Sequence, residues 1–343
     1  MGGSEWEIPE GPHAKDAEDA KVRIVSVLWV LCVLGVSQIS SIAIVGSGAI
    51  GTFYGARLVR TGVDVRFLMR GDLAAVRARG SLLLQDRVGV TEVRPVSAFA
   101  STEEIGVVDL VVVTLKATDN GQLGRLLPPL LGPESAIFTL QNGLGADEQI
   151  AAEFGAERVM AGLAFIAANR IGPGEVRCFN PGSITVGEFG RPPAERTHAV
   201  AARFEAAGVK MTVMENLVEG RWRKLMWNIP FNGLAIAAGG ITTDRILADP
   251  LLVAEARALM EEVRAGAAAL GFEIPDEFLE QQFAVTRPMG AYAPSSLVDY
   301  LAGRPVEVEV IWGEPLRRAQ AAGVSMPRLA ALYGKLRAVC RLE

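Results

Sequence analysis

The chain has 343 residues, 50% of them hydrophobic and 21% charged, enough for about two domains and a large core without disulfide support. Residues 1–21 carry a net charge of −4 out of the total of −5, so the remainder is close to neutral and lacks the basic footprint of a nucleic-acid binder. With two histidines (His13, His198) and three cysteines (Cys32, Cys178, Cys340) without a CxxC pair, a zinc hydrolase and a secreted disulfide scaffold are disfavoured, a Ser-His-Asp triad would rest on His198 alone, and a reducing, cytoplasmic setting is expected.

Residues 1–21 are acidic and rich in Gly, Pro and Ala, and read as disordered. Residues 22–39 are apolar but are broken by Arg23, Ser26, Ser37 and Gln38. The unbroken core, 27–36, is short of the roughly 20 residues a membrane span needs. Three readings stand open: an extension outside the fold, a weak anchor, or a cleaved signal. No stable membrane association is expected. The folded chain is expected to begin at Ser41, leaving 1–40 outside the core.

Residues 42–45 form a short β-branched run, and Gly46-x-Gly48-x-x-Gly51 follows it. A helical pattern runs from Ala49 to about Arg60, and 63–69 alternates as a second strand. Strand, glycine loop, helix and strand within about 30 residues is the setting that makes this motif a dinucleotide site. Gly46 would permit the turn, Gly48 the approach of a pyrophosphate, and Gly51 close packing of helix on strand. The cofactor-binding loop is therefore Gly46, Ser47, Gly48, Ala49, Ile50 and Gly51, with phosphates on the helix N-terminus. Where an NAD site commonly has an acid, the second strand ends in Arg70. A guanidinium suits a 2′-phosphate and cannot accept the 2′-OH proton, so the expected cofactor is NADPH. The bland alternative is a solvated surface arginine.

Short strands are expected at 81–84 and 90–96, and a central buried strand at 109–115 that delivers Lys116 to the carboxyl edge. Another at 136–140 delivers Gln141-Asn142-Gly143. Further strands are expected at 160–168, 175–179 and 183–188, separated by Gly-Pro turns at 172–174 and 180–182. Beyond about 190 the patterns are mainly helical, including 251–270 and 319–341. The fold class is α/β: a Rossmann-type parallel-sheet domain over 41–215, followed by a mainly helical domain over 216–343. The ligand is expected between them.

Residues 216–238 read as a buried helix, yet Lys224, Asn228 and Asn232 recur every four residues. At about 100° per residue they span about 80° of arc, a polar stripe on an apolar rod. Each such group buried without a partner costs roughly 1–3 kcal/mol, so the stripe meets either neighbouring backbone or a ligand. Pro230 removes an N–H and predicts a local kink. One cation and two amides suit a reductase: an ammonium can stabilise the charge that grows on a ketone oxygen and then protonate it. The Tyr-x-x-x-Lys pair of short-chain dehydrogenases is absent from the sequence.

The loop at 46–51, VTLKA at 113–117, QNG at 141–143, WRKLMWNIPFN at 222–232 and SSLVDYLAGRPVEVEV at 295–310 together resemble the 2-dehydropantoate 2-reductase (ketopantoate reductase) family over about residues 41–340. The resemblance implies reduction of 2-dehydropantoate, a small 2-oxo acid, with Lys224 as proton donor. Asn228 and Asn232 would contact substrate, Asn142 would lie beside nicotinamide and substrate, and Ser296 would bind the substrate's polar end. Glu307 would sit near the cofactor and orient Lys224. Arg70 and Lys116 match NADPH contacts, and Ala168 a weaker backbone contact. Ser295-Ser296-Leu297-Val298-Asp299 is one residue shorter than the family's usual segment, which leaves Ser295 and Ser296 interchangeable. Another branched 2-oxo acid as substrate, or an NADP(H)-binding paralogue without turnover, remain the competing readings. Oligomeric state is left open, a homodimer included.

Overall fold

The computed structural model describes residues 39–341; the readings made for the acidic tail and for the apolar run up to Gln38 lie outside the described residues. Among the described residues ten strands form one sheet: β1 (Ser41–Val45), β2 (Asp64–Leu68), β3 (Leu82–Gln85), β4 (Val90–Val93), β5 (Ser97–Phe99), β6 (Val108–Val113), β7 (Leu131–Thr139), β8 (Val159–Gly172), β9 (Glu175–Glu188) and β10 (Lys210–Val213). Their order is β4-β3-β9-β8-β7-β6-β1-β2-β5, with β10 alongside β9. From β8 to β5 every neighbouring pair is parallel.

The central strands show why continuous apolar runs were required. Side chains alternate between faces, and here both faces are covered. Ile42, Ile44, Leu110 and Val112 join one core cluster, while Ala43, Val45, Val111 and Val113 join another on the opposite face. Helix α1 (Ala49–Val59) follows the glycine loop directly. Helix α2 (Ala146–Phe154) follows β7, and α3 (Glu195–Ala206) packs Val200 and Phe204 against the first cluster.

β8 and β9 extend past the parallel sheet. Pairing of β7 with β8 ends at Thr139–Ala161, whereas β8 continues to Gly172 with β9 antiparallel beside it. The pair overhangs the carboxyl edge, where open α/β sheets bind ligands. The expected turn at 180–182 is not one: β9 runs straight through it, and the register slips between Phe165 and Ala168 instead. Gly182 has φ +57°, and a Cβ there would lie 1.5 Å from the Phe165 carbonyl oxygen. The glycine therefore serves a close backbone approach at a bulge. β5 and β10, of three and four residues, carry too little pattern to be seen in advance.

The second half of the chain is helical around its own core, which includes Trp222 and Trp312, both fully buried. The predicted helix over 216–238 is three pieces: α4 (Leu217–Trp227), a π turn over Asn228–Asn232, and α5 (Gly233–Ala237). Pro230, lacking an N–H, sits inside the π turn, where the expected kink is absorbed. Helices α6 (Pro250–Ala269) and α7 (Ser295–Leu301) follow. The helix expected over 319–341 is divided: one helix ends at Ala321, Gly323 turns at φ +79°, and α8 (Pro327–Val339) starts anew with proline in its first turn. At the other end, Ile39, assigned to the extension, is only 8% exposed and belongs to the sheet core. Ser40 donates its N–H and Oγ to Asp109 Oδ2 at 2.9 and 2.6 Å, so the packed chain starts at least two residues before Ser41. No helix among the described residues is long and apolar enough to cross a membrane.

Candidate active site

The loop after β1 has the shape a pyrophosphate requires. Gly46 has φ +110°, and a Cβ on it would strike the Leu115 backbone nitrogen at 2.4 Å. A Cβ on Gly51 would meet Gly46 O at 2.3 Å and Thr114 Oγ1 at 2.4 Å, so α1 packs on the sheet only through glycine. A Cβ on Gly48 would meet nothing within 4 Å; this glycine faces open space. Ser47 Oγ donates to Leu68 O at 2.7 Å and Thr114 Oγ1 to Gly46 O at 2.5 Å, which fixes the loop between β2 and β6. Gly48 caps α1 without a side chain and no acid occupies its first turn, so the first N–H groups point outward unopposed. These features fit a dinucleotide phosphate held by Gly46 to Gly51.

Arg70 follows β2, is exposed, and has no hydrogen bond or ion pair for its guanidinium among the described residues. The neighbouring acid, Asp72, is buried and engaged: it accepts Arg170 Nε at 3.0 Å and Gly174 N–H at 2.9 Å. A free cation at the end of β2, with its nearest acid turned inward, fits a 2′-phosphate and not a bare ribose.

Lys224 sits near the end of α4 and is 9% exposed. Its Nζ donates to Asn142 Oδ1 at 2.7 Å and to Ala164 O at 2.9 Å, and lies 5.5 Å from the centre of the Phe165 ring. An ammonium has three N–H donors; the third has no acceptor among the described residues. Burial, reinforced by the like charges of Arg221 and Lys116, pushes the Lys224 ammonium down to about 7, while Glu307 opposes the fall. The π turn carries the other two stripe residues inward. Asn232 is 1% exposed and its Oδ1 accepts the Ser296 N–H at 3.0 Å. Asn228 is buried, yet its side-chain amide has no partner among the described residues. At the N-terminus of α7, Ser296 is buried beside Asn232, and Ser295 is exposed.

Glu307, expected to sit near the cofactor and orient Lys224, makes no hydrogen bond to Lys224 among the described residues. Its Oε1 accepts the Ala117 N–H at 2.9 Å and its Oε2 lies 3.4 Å from Lys116 Nζ. Lys116 Nζ also lies 2.7 Å from Asp299 Oδ2. These two carboxylates outweigh burial and raise the Lys116 ammonium. The charge of Glu307 raises the Lys224 ammonium against the lowering by burial.

The structure links Lys224 to Asn142, Lys116 to Glu307, and Asn232 to Ser296. Ala168 stands apart from Lys224, four residues beyond Ala164 on β8 or about 13 Å along a strand. It pairs with Cys178, toward the end of the hairpin where Arg170 meets Asp72. Sequence reasoning missed Ala164, Phe165, Asp299 and Arg221. Backbone and aromatic contributions leave no motif. Arg221 left a weak signal: it precedes Lys224 by three residues, on the same helix face, but it stands among the half-buried charges of Glu219 and Arg223.

Residues 42–191 match the family model described as ketopantoate reductase PanE/ApbA, and residues 216–340 match the model of its C-terminal part. A 2-dehydropantoate 2-reductase of Nostoc sp. is 38% identical over 300 residues, covering 86% of this chain and 93% of that protein. The crystal structure of 2-dehydropantoate 2-reductase from Geobacter metallireducens is similar with a TM-score of 0.84 at 41% identity, covering 87% of this chain and 99% of that one. The corresponding structure from Methylococcus capsulatus has a TM-score of 0.79 at 34% identity, with 87% and 96% covered.

Proposed function

The chain belongs to the ketopantoate reductase family, and on that premise we propose that it reduces 2-dehydropantoate to pantoate with NADPH as cofactor. NADPH, when bound, supplies the hydride for the substrate's 2-oxo carbon. Residues Gly46 to Gly51 hold its pyrophosphate, Arg70 its 2′-phosphate, and Lys116, Asn142, Ala168 and Glu307 contact the rest. The unit over 41–215 carries these cofactor contacts, and the unit over 216–343 brings the substrate contacts. The scarcity of cysteine and the use of NADPH fit a cytoplasmic enzyme.

The observation that carries the reading is the third N–H of Lys224. Asn142 Oδ1 and Ala164 O take two donors at 2.7 and 2.9 Å and aim the ammonium, leaving one donor for a substrate oxygen. As negative charge develops on the 2-oxo oxygen, that N–H stabilises it and passes over its proton. Lys224 is buried, and an ammonium pushed down to about 7 gives up its proton readily near neutral pH. The unpartnered amide of Asn228 and the hydroxyl of Ser296 hold the substrate's carboxylate and hydroxyl, with Asn232 fixing Ser296 through its backbone.

The test is NADPH oxidation across a panel of 2-oxo acids. The highest kcat/KM is expected with 2-dehydropantoate. Higher kcat/KM with a different branched 2-oxo acid would move the substrate assignment. NADPH binding without turnover of any acid would make the chain a binding paralogue.

A further inference from the structure

Arg221 is 2% exposed, on the face of α4 that carries Lys224. Its Nη1 donates to Gln141 O at 3.2 Å and Gly143 O at 2.8 Å, so one guanidinium nitrogen grips the backbone on both sides of Asn142. Its Nε donates to Asp147 Oδ2 at 2.8 Å, in the first turn of α2, and that carboxylate is equally buried. The loop is pressed from the other side as well. Leu144 N–H donates to Val310 O at 2.8 Å, and a Cβ on Gly143, which has φ +80°, would lie 2.2 Å from that same oxygen. Asn142 is therefore held between two contacts of the helical unit, and its Oδ1 faces Lys224 Nζ as a result.

We propose that Arg221 is a positioning residue for the reduction: it clamps the 141–143 backbone to α4 so that Asn142 aims the Lys224 ammonium, and it holds a like charge one turn from that ammonium. The inference rests on Lys224 as proton donor and adds a residue that never touches substrate. The charged groups facing Lys224 are Arg221 on its own helix, Lys116 after β6 and Glu307 from the helical unit. Of these, Arg221 alone also fixes the loop that carries a Lys224 ligand. Asp147 neutralises Arg221 through a single Nε–Oδ2 contact at 2.8 Å. A guanidinium suits this place because it is planar, always charged, and offers donors in several fixed directions at once.

Removing Arg221 alone would strand the buried Asp147 carboxylate and risk the fold. The informative pair is Arg221→Lys and the double variant Arg221→Met with Asp147→Leu, which removes both charges together. Two readouts are taken: kcat, and titration of the Lys224 ammonium by NMR of the labelled lysine side chain in the free protein. The double variant is expected to lose about 10- to 100-fold in kcat through misplacement of the donor. Its Lys224 midpoint is expected to rise above that of the wild type, because the stronger of the two like charges acting on the ammonium is gone. Arg221→Lys keeps the charge and loses the fork, so its midpoint should stay near wild type while kcat falls. A folded double variant with unchanged midpoint overturns the proposal, whatever the substrate proves to be. So does Arg221→Lys with wild-type kcat, which also decides the case if the double variant does not fold. A wild-type protein that reduces no 2-oxo acid fails the functional reading instead, and the NMR titration still judges Arg221.

Discussion

Lys224 Nζ and Asn142 Oδ1 meet at 2.7 Å although 82 residues separate them in the chain. One lies on a helix of the C-terminal half and the other at the carboxyl end of β7. The contact joins the sheet's carboxyl edge to the polar stripe of α4, so the proposed proton donor and the loop after β7 are fixed relative to each other.

The first prediction concerns pH. Burial pushes the Lys224 ammonium from its ordinary 10.5 to about 7. A proton donor is lost as pH rises through that value, so kcat/KM should be flat below about 7 and decline above it, with the limb reporting the free enzyme. Stability takes the opposite sign. Between about 7 and 10.5 the unfolded chain keeps this proton and the folded chain has shed it, so this residue makes stability rise with pH across that window. A kcat/KM profile without a limb near neutrality would remove Lys224 from the protonation step.

Cofactor choice should lie largely with Arg70. Its guanidinium is exposed and has no partner among the described residues, and a charged hydrogen bond contributes about 1.5–3 kcal/mol. Arg70→Ala should weaken NADPH by about 10- to 150-fold and leave NADH nearly unchanged. Titration showing equal weakening of both would assign Arg70 a role other than reading the 2′-phosphate.

Two glycines of one motif should respond in different ways. Gly48→Ala places its methyl in open space, so thermal stability should change by less than about 0.5 kcal/mol, while NADPH binding suffers at the pyrophosphate. Gly51→Ala drives a methyl to 2.3 Å from Gly46 O, and backbone must move, at a cost of roughly 1–3 kcal/mol in stability. Melting curves with and without NADPH separate the two. Equal loss of stability in both variants would contradict the division.

The start of the packed chain can be tested by two truncations. A protein beginning at Ile39 should melt higher than one beginning at Ser41. Ile39 is buried in the sheet core, which is worth roughly 1.5–3 kcal/mol, and Ser40 bonds Asp109. Equal melting temperatures would return the boundary to Ser41.

Much of this arrangement was legible in local pattern. The Gly46–Gly51 loop follows from strand, glycine spacing and helix; at Gly46 and Gly51 a Cβ would strike neighbouring atoms, whereas Gly48 faces open space. Lys224, Asn228 and Asn232 stood out because polar groups at helical spacing conflict with an apolar rod. Contacts made across the chain were not legible. Arg221 reaches Asp147, Gln141 and Gly143 over more than seventy residues, and only the fold brings them together. The turn expected at Asn180-Pro181-Gly182 failed for the same reason. Its glycine answers the Phe165 carbonyl on the neighbouring strand, and it makes no reversal of its own. Glu307 was named only from the family resemblance, and its contacts with Lys116 and Ala117 left no local pattern.

Turnover of Lys224→Ala with saturating NADPH and 2-dehydropantoate tests the proton donor most directly. The ammonium is needed as charge grows on the carbonyl oxygen, so its loss should lower kcat by about 10²- to 10⁴-fold. NADPH affinity should change little, since the phosphate loop belongs to the other half of the chain. Lys224→Arg should restore only part of the rate, because a guanidinium keeps the charge but scarcely releases its proton. A folded Lys224→Ala enzyme with near-wild-type kcat would contradict the assignment and pass the proton to Glu307, Lys116 or water.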